Sequence, residues 1–343
     1  MPTKLNRAGE QQNYVPAGNG DASGEYGNHK GSNRHFTNFK KEGDSFESVN
    51  KQRVGNKMSS QPKAVEQPKV EEPVTYDEWA KSIMTQQRVG NPPTEIKIRL
   101  QDTPLHITDE EDRQAALREF KPETVDKAID LIKKYEQSVD ETAADLENIA
   151  DQMGGVMVGM EFRLKRLGST SRKLESYVIE EHANGNTNFT LDDAVGKMRD
   201  TARFTMVFDE KGFENGVKGA IGTLEKQGYK LARAKNTFVE GAGYKGLNCN
   251  FIDKKGNIFE LQFHVPLSMK IKEGIEVDVA NKRAVSDRRN VTAHDIYEKT
   301  RVLEDKQRAG TITPGEQKLY DDMIQKSKQR WAEVPNYELS FLK

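Results

Sequence analysis

The apolar residues of this chain are distributed so unevenly that its first part cannot contribute to a core. Residues 1–75 contain one leucine, Leu5, no isoleucine and no tryptophan, whereas Gly, Asn, Ser, Lys and Gln are abundant. Such a segment cannot bury enough apolar surface to offset the entropy of ordering it. The sequence therefore predicts a disordered or extended tail over 1–95 and a folded domain over 96–343.

The overall charge excludes a general attraction to nucleic acid or to an anionic membrane, because 53 Lys and Arg nearly balance 54 Asp and Glu. The start of the chain lacks the apolar core of a secretory signal, and no apolar run is long enough to span a bilayer. We therefore expect a cytoplasmic site of action and no membrane partner. The single cysteine, Cys249, excludes an internal disulfide framework and is expected to be a small buried apolar residue.

The pentapeptide QRVGN occurs twice, at 52–56 and at 87–91. It is either a docking peptide, for instance toward a delivery or virion partner, or a coincidence within a segment of low complexity.

The pattern of apolar residues predicts the element types. After Pro122, apolar residues recur at spacings of three and four, which predicts one long amphipathic helix over 122–153. Strands separated by helices follow, ending in a predicted hairpin. Predicted helices of the C-terminal part, 267–331, span 267–285, 291–309 and 315–331. This order predicts an α/β (α+β) fold with a mixed, mainly antiparallel sheet flanked by helices.

The segment NIFELQFHV, residues 257–265, alternates with the period of a strand and puts Glu260, Gln262 and His264 on one face. A strand with one face in water gives the same alternation. The pattern alone therefore leaves two interpretations open, a solvent-facing row and the floor of a binding cleft.

A cluster of cations precedes a predicted helix. Arg163 and Lys165 are expected side by side on a strand over 156–165, where two cations repel unless an anion joins them. Ser169 or Thr170 is expected to cap the helix that follows, whose N–H groups attract phosphate, and Lys173 lies one turn beyond Ser169. Surface cations on an ordinary helix are the alternative interpretation.

Two further segments carry polar candidates. Asp200 stands at the entrance to a predicted strand, where a carboxylate either points into a cleft or ends a turn. Residues 241–246 match G-x-G-x-x-G, but a dinucleotide fingerprint must open a helix, whereas a strand follows here. The glycines are instead expected to shape a turn that presents Tyr244, whose ring is suited to stacking on a base.

These segments together resemble the RelA/SpoT synthetase domain. Arg163, Lys165, Ser169 and Lys173 reproduce its spaced Arg, Lys, Ser, Lys pattern. The segment GYKGLN is similar to its Gly-Tyr-Arg-Ser-Leu-His segment, and FELQFH is similar to its Glu-Val-Gln-Ile-Arg strand. The motifs stand in the family's order over about 125–310, in a form closest to phage-encoded and toxin-type small synthetases.

The resemblance implies a nucleotidyltransferase-like fold and transfer of pyrophosphate from ATP to the 3′-hydroxyl of a guanosine or adenosine nucleotide. It implies that Asp200 and Glu260 hold Mg²⁺ and that Glu260 accepts the proton of the attacking hydroxyl. The implied ligands of ATP are Arg163, Lys165, Ser169, Lys173 and Arg203, with Arg163 and Lys165 catalytic as well. The implied acceptor site comprises Tyr244, Lys245, Asn248, Gln262 and His264.

The sequence also departs from the family. The Asp-x-x-Gly-x-Arg motif becomes DTAR, so that Arg203 stands two positions early, and Asn248 and His264 replace a histidine and an arginine. The pair His294–Asp295 lacks the spaced ligands of a metal phosphohydrolase.

Without a recognisable hydrolase domain the product would accumulate, which is consistent with a toxin delivered into another cell and opposed by an antitoxin or immunity protein. Pyrophosphorylation of the 3′ end of tRNA, or a non-catalytic protein with a relic domain, are the alternatives.

Overall fold

The computed structural model describes residues 75–87 and 91–342, with only the backbone for 85–87. Residues 1–74 of the tail predicted over 1–95 lie outside the described residues, as do the first copy of QRVGN and most of the second. No helix among the described residues is long and apolar enough to cross a membrane.

The described residues form helices and strands in a mixed order along the chain. The α-helices are α1 (Tyr76–Gln87), α2 (Glu110–Leu117), α3 (Pro122–Glu136), α4 (Val139–Met153), α5 (Leu167–Ala183), α6 (Leu191–Lys197), α7 (Phe213–Lys226), α8 (Pro266–Glu273), α9 (Ala293–Arg308) and α10 (Pro314–Ala332). The strands are β1 (Thr94–Ile96), β2 (Val156–Val158), β3 (Ala202–Val207), β4 (Lys230–Asn236), β5 (Leu247–Ile252), β6 (Ile258–His264), β7 (Ile275–Asp278) and β8 (Arg283–Ser286).

The larger sheet has the strand order β2-β3-β6-β5-β4. β3 pairs with β6 in parallel, and the other neighbours pair antiparallel, which gives the mixed, mainly antiparallel sheet expected from the sequence. Phe259, Leu261 and Phe263 of β6 are buried on the apolar face, where Phe204 and Phe251 also pack. Because successive side chains of a strand point to opposite faces, the residues between these apolar ones lie on the other, polar face of the sheet.

The single helix predicted over 122–153 is two helices, α3 and α4, separated at Gln137 and Ser138. Tyr135 before the break and Val139 after it are both buried, so the apolar spacing continues across the interruption. Periodicity reports which side faces the core and does not report a change of direction between two helices.

The helix predicted over 267–285 is also wrong in its second half. α8 ends at Gly274, whose backbone has φ 69° and where a Cβ would lie 2.5 Å from the carbonyl oxygen of Asp287. β7 and β8 then form a hairpin, with β1 on the outer side of β8. The left-handed turn that only glycine adopts easily is the physical reason for this stop.

The described fold also begins before residue 95, the boundary predicted from composition. Tyr76 and Trp79 of α1 are buried in a cluster with Ile296, Leu303 and Met323 of α9 and α10. These two aromatic side chains, with Ile83 and Met84 packed beside them, attach α1 to the domain.

Candidate active site

The polar face of the larger sheet forms the floor of the site. The parallel register places Arg203 of β3 opposite Glu260 of β6, and the antiparallel register places Asn250 and Asn248 of β5 opposite Glu260 and Gln262. Glu260 is half-buried, whereas Gln262 and His264 are buried. The row along β6 is therefore covered, and an ordinary solvent-facing strand does not describe it.

Asp200, just before β3, is the carboxylate around which two lysine side chains of the site gather. Its Oδ2 lies 2.9 Å from Nζ of Lys165 and 2.9 Å from Nζ of Lys173, and its side chain is 13% exposed. Burial alone would raise the pKa of Asp200, but the two ammonium groups hold it well below its usual range. Asp200 is therefore an ionised carboxylate at any physiological pH.

The two lysines respond differently to this carboxylate. Burial opposes the charge of Lys173, but Asp200 outweighs it and raises the pKa of Lys173, with a further contribution from Glu260. Burial lowers the pKa of Lys165, and the nearby charges of Arg203 and Lys173 act in the same direction against Asp200. Lys173 is therefore held as an ammonium group mainly by its ion pair with Asp200, and the charge of Glu260 acts on its pKa in the same direction.

The backbone explains how Lys165 reaches Asp200. Its N–H donates to the carbonyl of Thr201 (2.9 Å), and the N–H of Arg203 donates to the carbonyl of Arg163 (2.9 Å). This short extended segment lies against the start of β3, with Leu164 opposite Ala202. Lys165 and Asp200 therefore emerge from neighbouring backbone segments.

Arg163 does not belong to the site. β2 ends at Val158, Gly159 has φ 72°, and a 3₁₀ turn follows, so the strand predicted over 156–165 is interrupted. Arg163 is 1% exposed, and it donates to Asp140 Oδ1 (2.6 Å) and to the carbonyls of Thr103 (2.8 Å) and Met160 (2.7 Å). Its predicted roles in binding ATP and in catalysis are replaced by a structural one.

The start of α5 also differs from the prediction. Neither Ser169 nor Thr170 caps the helix, because the N-cap residue is Arg166, whose side chain makes no capping hydrogen bond. Thr170 instead donates through Oγ1 to the carbonyl of Arg166 (3.1 Å), while Ser169 is exposed in the first turn. Ser169 thus lies one turn before Lys173 at a helix end that attracts anions.

A chain of two hydrogen bonds orients Glu260. Lys272 of α8 donates through Nζ to Gln262 Oε1 (2.8 Å), and Gln262 donates through Nε2 to Glu260 Oε2 (2.7 Å). Because an ammonium has only donors, it fixes which end of the amide faces Glu260. One oxygen of Glu260 is therefore held, and its conformation is set.

Tyr244 lies at the other end of the same face. Its hydroxyl donates to Asn248 Oδ1 (3.1 Å) and lies 3.0 Å from His264 Nε2, while Ser268 Oγ lies 2.9 Å from Nδ1. Burial raises the pKa of Tyr244 and lowers that of His264, on which the positive charge of Lys272 acts in the same direction. His264 is therefore a neutral support for Tyr244, and not a lining residue as predicted.

Lys245, expected to contact the acceptor, is turned away from the face. It is 3% exposed, and its Nζ donates to the carbonyl of Val334 (2.6 Å) and to Asn336 Oδ1 (2.8 Å). Arg203, by contrast, is exposed on the polar face, as its predicted contact with ATP requires.

The residues present fit a magnesium ion held jointly with a nucleotide. Asp200 Oδ1 is buried with no hydrogen-bond partner, so one carboxylate oxygen is not engaged by the lysines. No group of three or more His, Cys, Asp or Glu in the described part of the chain would hold a metal ion by itself. Magnesium bound through one or two carboxylates and substrate phosphates needs no such group.

The chain is similar to several solved structures, although no family model and no curated protein matches it. The Type VI effector Tas1, solved with its immunity protein, is 17% identical, covering 61% of this chain and 93% of that chain (TM-score 0.30). A GTP pyrophosphokinase family protein from Streptococcus pneumoniae is 14% identical, and the match covers 58% of this chain and 87% of that chain (TM-score 0.30). The small alarmone synthetase 1 from Bacillus subtilis is 12% identical, and the match covers 61% of this chain and 93% of that chain (TM-score 0.32).

The sequence interpretation did not identify Lys272 and Ser268. A sequence signal for them was nevertheless present, because Pro266, two residues after the end of β6, is a favoured first-turn residue of a helix. A helix that begins there returns its first two turns over the end of the strand. His294, on α9, lies 3.8 Å from Glu273 and contributes no ligand to the face.

Proposed function

We propose that this chain is an ATP-dependent pyrophosphokinase that acts on the 3′-hydroxyl of a guanosine or adenosine nucleotide. The observation that carries the proposal is the arrangement of Lys165 and Lys173 on Asp200, next to the polar face where Arg203 lies opposite Glu260. Two carboxylates and two ammonium groups at the end of a covered polar face suit a triphosphate and its metal better than a structural ion pair.

The reaction forms a bond between the acceptor 3′-oxygen and the β-phosphorus of ATP and breaks the bond from that phosphorus to the α-phosphate oxygen, which releases AMP. Such a transfer depends mainly on alignment and on charge neutralisation. The ammonium groups of Lys165 and Lys173 would turn from Asp200 to the donor phosphates, with Ser169 and Arg203 beside them. Magnesium, held by Asp200 and Glu260, would supply further neutralisation of the phosphates.

Glu260 is the candidate base. Its Oε2 is held by Gln262, so the other oxygen is available to accept the proton of the 3′-hydroxyl. Tyr244 would stack on the acceptor base, and Asn248 beside it offers an amide to the same nucleotide.

One observation favours RNA as a second acceptor. The edge strand β4 places Arg233 opposite Asn250 and Lys235 opposite Asn248, so cations extend the polar face beyond β5. RNA binding depends largely on such contacts with phosphates. A 3′ end of tRNA is therefore the alternative acceptor.

The acceptor is identified by incubating the protein with labelled ATP and Mg²⁺ and, separately, with GDP, GTP, AMP, ADP and deacylated tRNA. Label transferred to a mononucleotide supports the proposal, and label transferred only to tRNA supports the alternative. No transfer to any acceptor would support a non-catalytic protein.

Replacing Glu260 by Gln tests the assignment of the base. The variant keeps the shape of the side chain and removes its charge, so we expect turnover to fall by at least ~100-fold with every acceptor. The melting temperature should stay the same, and growth arrest upon expression, if the product is toxic, should disappear.

The matched control is Glu225→Gln, since Glu225 is an exposed residue of α7 with no part in the site. It should alter stability by less than ~0.5 kcal/mol and leave turnover unchanged. Transfer at a near wild-type rate by the Glu260→Gln protein would contradict the assignment.

A further inference from the structure

The ammonium group of Lys245 is buried against neutral partners. Both of its acceptors, the Val334 carbonyl and the Asn336 side-chain oxygen, are uncharged, and burial lowers the pKa of the lysine. A buried charge without a carboxylate partner lowers stability unless its hydrogen bonds are well made, and an apolar side chain of similar length is often more stable. Stability alone therefore does not account for a lysine here.

Lys245 joins two segments that are distant in sequence. One is the loop from Thr237 to Gly246, closed at its neck by the Thr237 N–H, which donates to the Gly246 carbonyl (2.9 Å). The other is the C-terminal strap, residues 333–342, which follows α10. The strap is also tied to β4 and the loop, because Asn236 Nδ2 donates to the Tyr337 carbonyl (2.6 Å) and the Tyr337 N–H donates to the Phe238 carbonyl (3.1 Å).

The last turns of α10 contact the same loop beside Tyr244. Trp331 is 2% exposed, and its ring meets that of Tyr244 at 5.2 Å between centroids and 69° between planes. Ser327 donates through Oγ to the Gly243 carbonyl (3.4 Å). Tyr244 is thus held by the sheet through His264 and Asn248, and by α10 and the strap through Trp331 and its neighbour Lys245.

We infer that the C-terminal strap is part of the acceptor site, and that Lys245 is a positioning residue that anchors the strap to the loop presenting Tyr244. The inference rests on the proposed function for the role of Tyr244, but the anchoring itself does not. Lys245 touches no substrate in this arrangement. Its effect on the reaction passes through the orientation of the neighbouring ring.

The test uses the full chain with Lys245→Met, which keeps the length of the side chain and removes its donors. We expect the acceptor KM to rise about 5- to 50-fold, within the range that a base stack provides. The ATP KM should stay within about twofold, and the melting temperature should stay equal or rise. Lys226→Met, at an exposed position of α7, is the matched control and should change neither KM.

Hydrogen exchange gives a second reading that does not depend on activity. In the Lys245→Met protein, amides of 238–246 should exchange faster, while those of β3 stay protected. If Lys245→Met fails to fold, Asn336→Ala removes one acceptor of the anchor and should give the same local change.

The outcomes separate the two proposals. Equal rises in both KM values together with a lower melting temperature would show that Lys245 is only structural and overturn the inference. If the wild-type chain transfers no pyrophosphate, the proposed function fails, and exchange still decides the anchoring. Unchanged exchange in 238–246 would then overturn it.

Discussion

At the scale of single residues, His264 couples the site to pH. It is fully buried, and burial together with the positive charge of Lys272 keeps its pKa well below 6.5. In the unfolded chain the same imidazole takes up a proton near pH 6.5. Between these two values the unfolded state binds more protons, so stability is lost as the pH falls below about 6.5.

We therefore expect the free energy of unfolding, measured in denaturant from pH 7.5 to 5, to fall by up to about 1.4 kcal/mol per pH unit because of His264. His264→Gln cannot take up the proton and should lose this part of the slope. His182→Gln, at an exposed position, should keep it. Parallel slopes for wild type and His264→Gln would contradict the assignment.

The sequence predicted which residues lie near one another better than it predicted the direction of each side chain. The structure brings Lys165, Lys173 and Asp200 together, although the sequence assigned the lysines to phosphates and Asp200 to a metal and did not predict their ion pairs. Arg163 and Lys245 stand in the same motifs and are buried instead. Their partners, Asp140 and Val334, lie far away in the sequence, and no local pattern contains that information.

At the scale of elements, α1 is attached to the domain by its aromatic residues. Trp79 is 5% exposed and packs in the cluster of α9 and α10, and Arg330 of α10 donates to the hydroxyl of Tyr76 (2.9 Å). We expect Trp79→Ala to lower the free energy of unfolding by about 3 kcal/mol, the usual cost of removing a large buried aromatic ring. Chemical denaturation measures this loss.

Val302→Ala is the control for this prediction, because Val302 on α9 is 47% exposed. Its effect should stay within about 0.5 kcal/mol. A Trp79→Ala protein as stable as wild type would show that α1 does not contribute to the domain.

Element types were predictable where one signal decides them, as for α3, β5 and β6. They were missed where an apolar pattern that predicts one continuous element is interrupted by a glycine. The predicted strand over 156–165 is divided at Gly159, and the predicted helix over 267–285 is divided at Gly274, both with left-handed backbone. A glycine in a sequence shows that such a turn is permitted, and only the tertiary fold shows whether it is used.

At the scale of the whole molecule, the candidate chemistry lies in one part of the chain. The candidate residues of the polar face fall between Lys165 and Lys272, and the compact unit that contains them and the C-terminal strap runs from Pro73 to Lys343. We expect a chain that starts at Pro73 to keep turnover within a few-fold of wild type, measured by labelled pyrophosphate transfer. A folded truncation without activity would show that residues 1–72 complete the site.

The parallel pairing of β3 with β6 has a consequence for the order in which the fold forms. Arg203 and Glu260 face each other only after α7, β4 and β5 have been placed between them, so this contact closes a long loop of chain. Long-range pairings of this kind are slow to form, whereas helices such as α9 and α10 need only local contacts. A newly made chain would therefore gain these helices before the strand pairing that forms the floor of the candidate site.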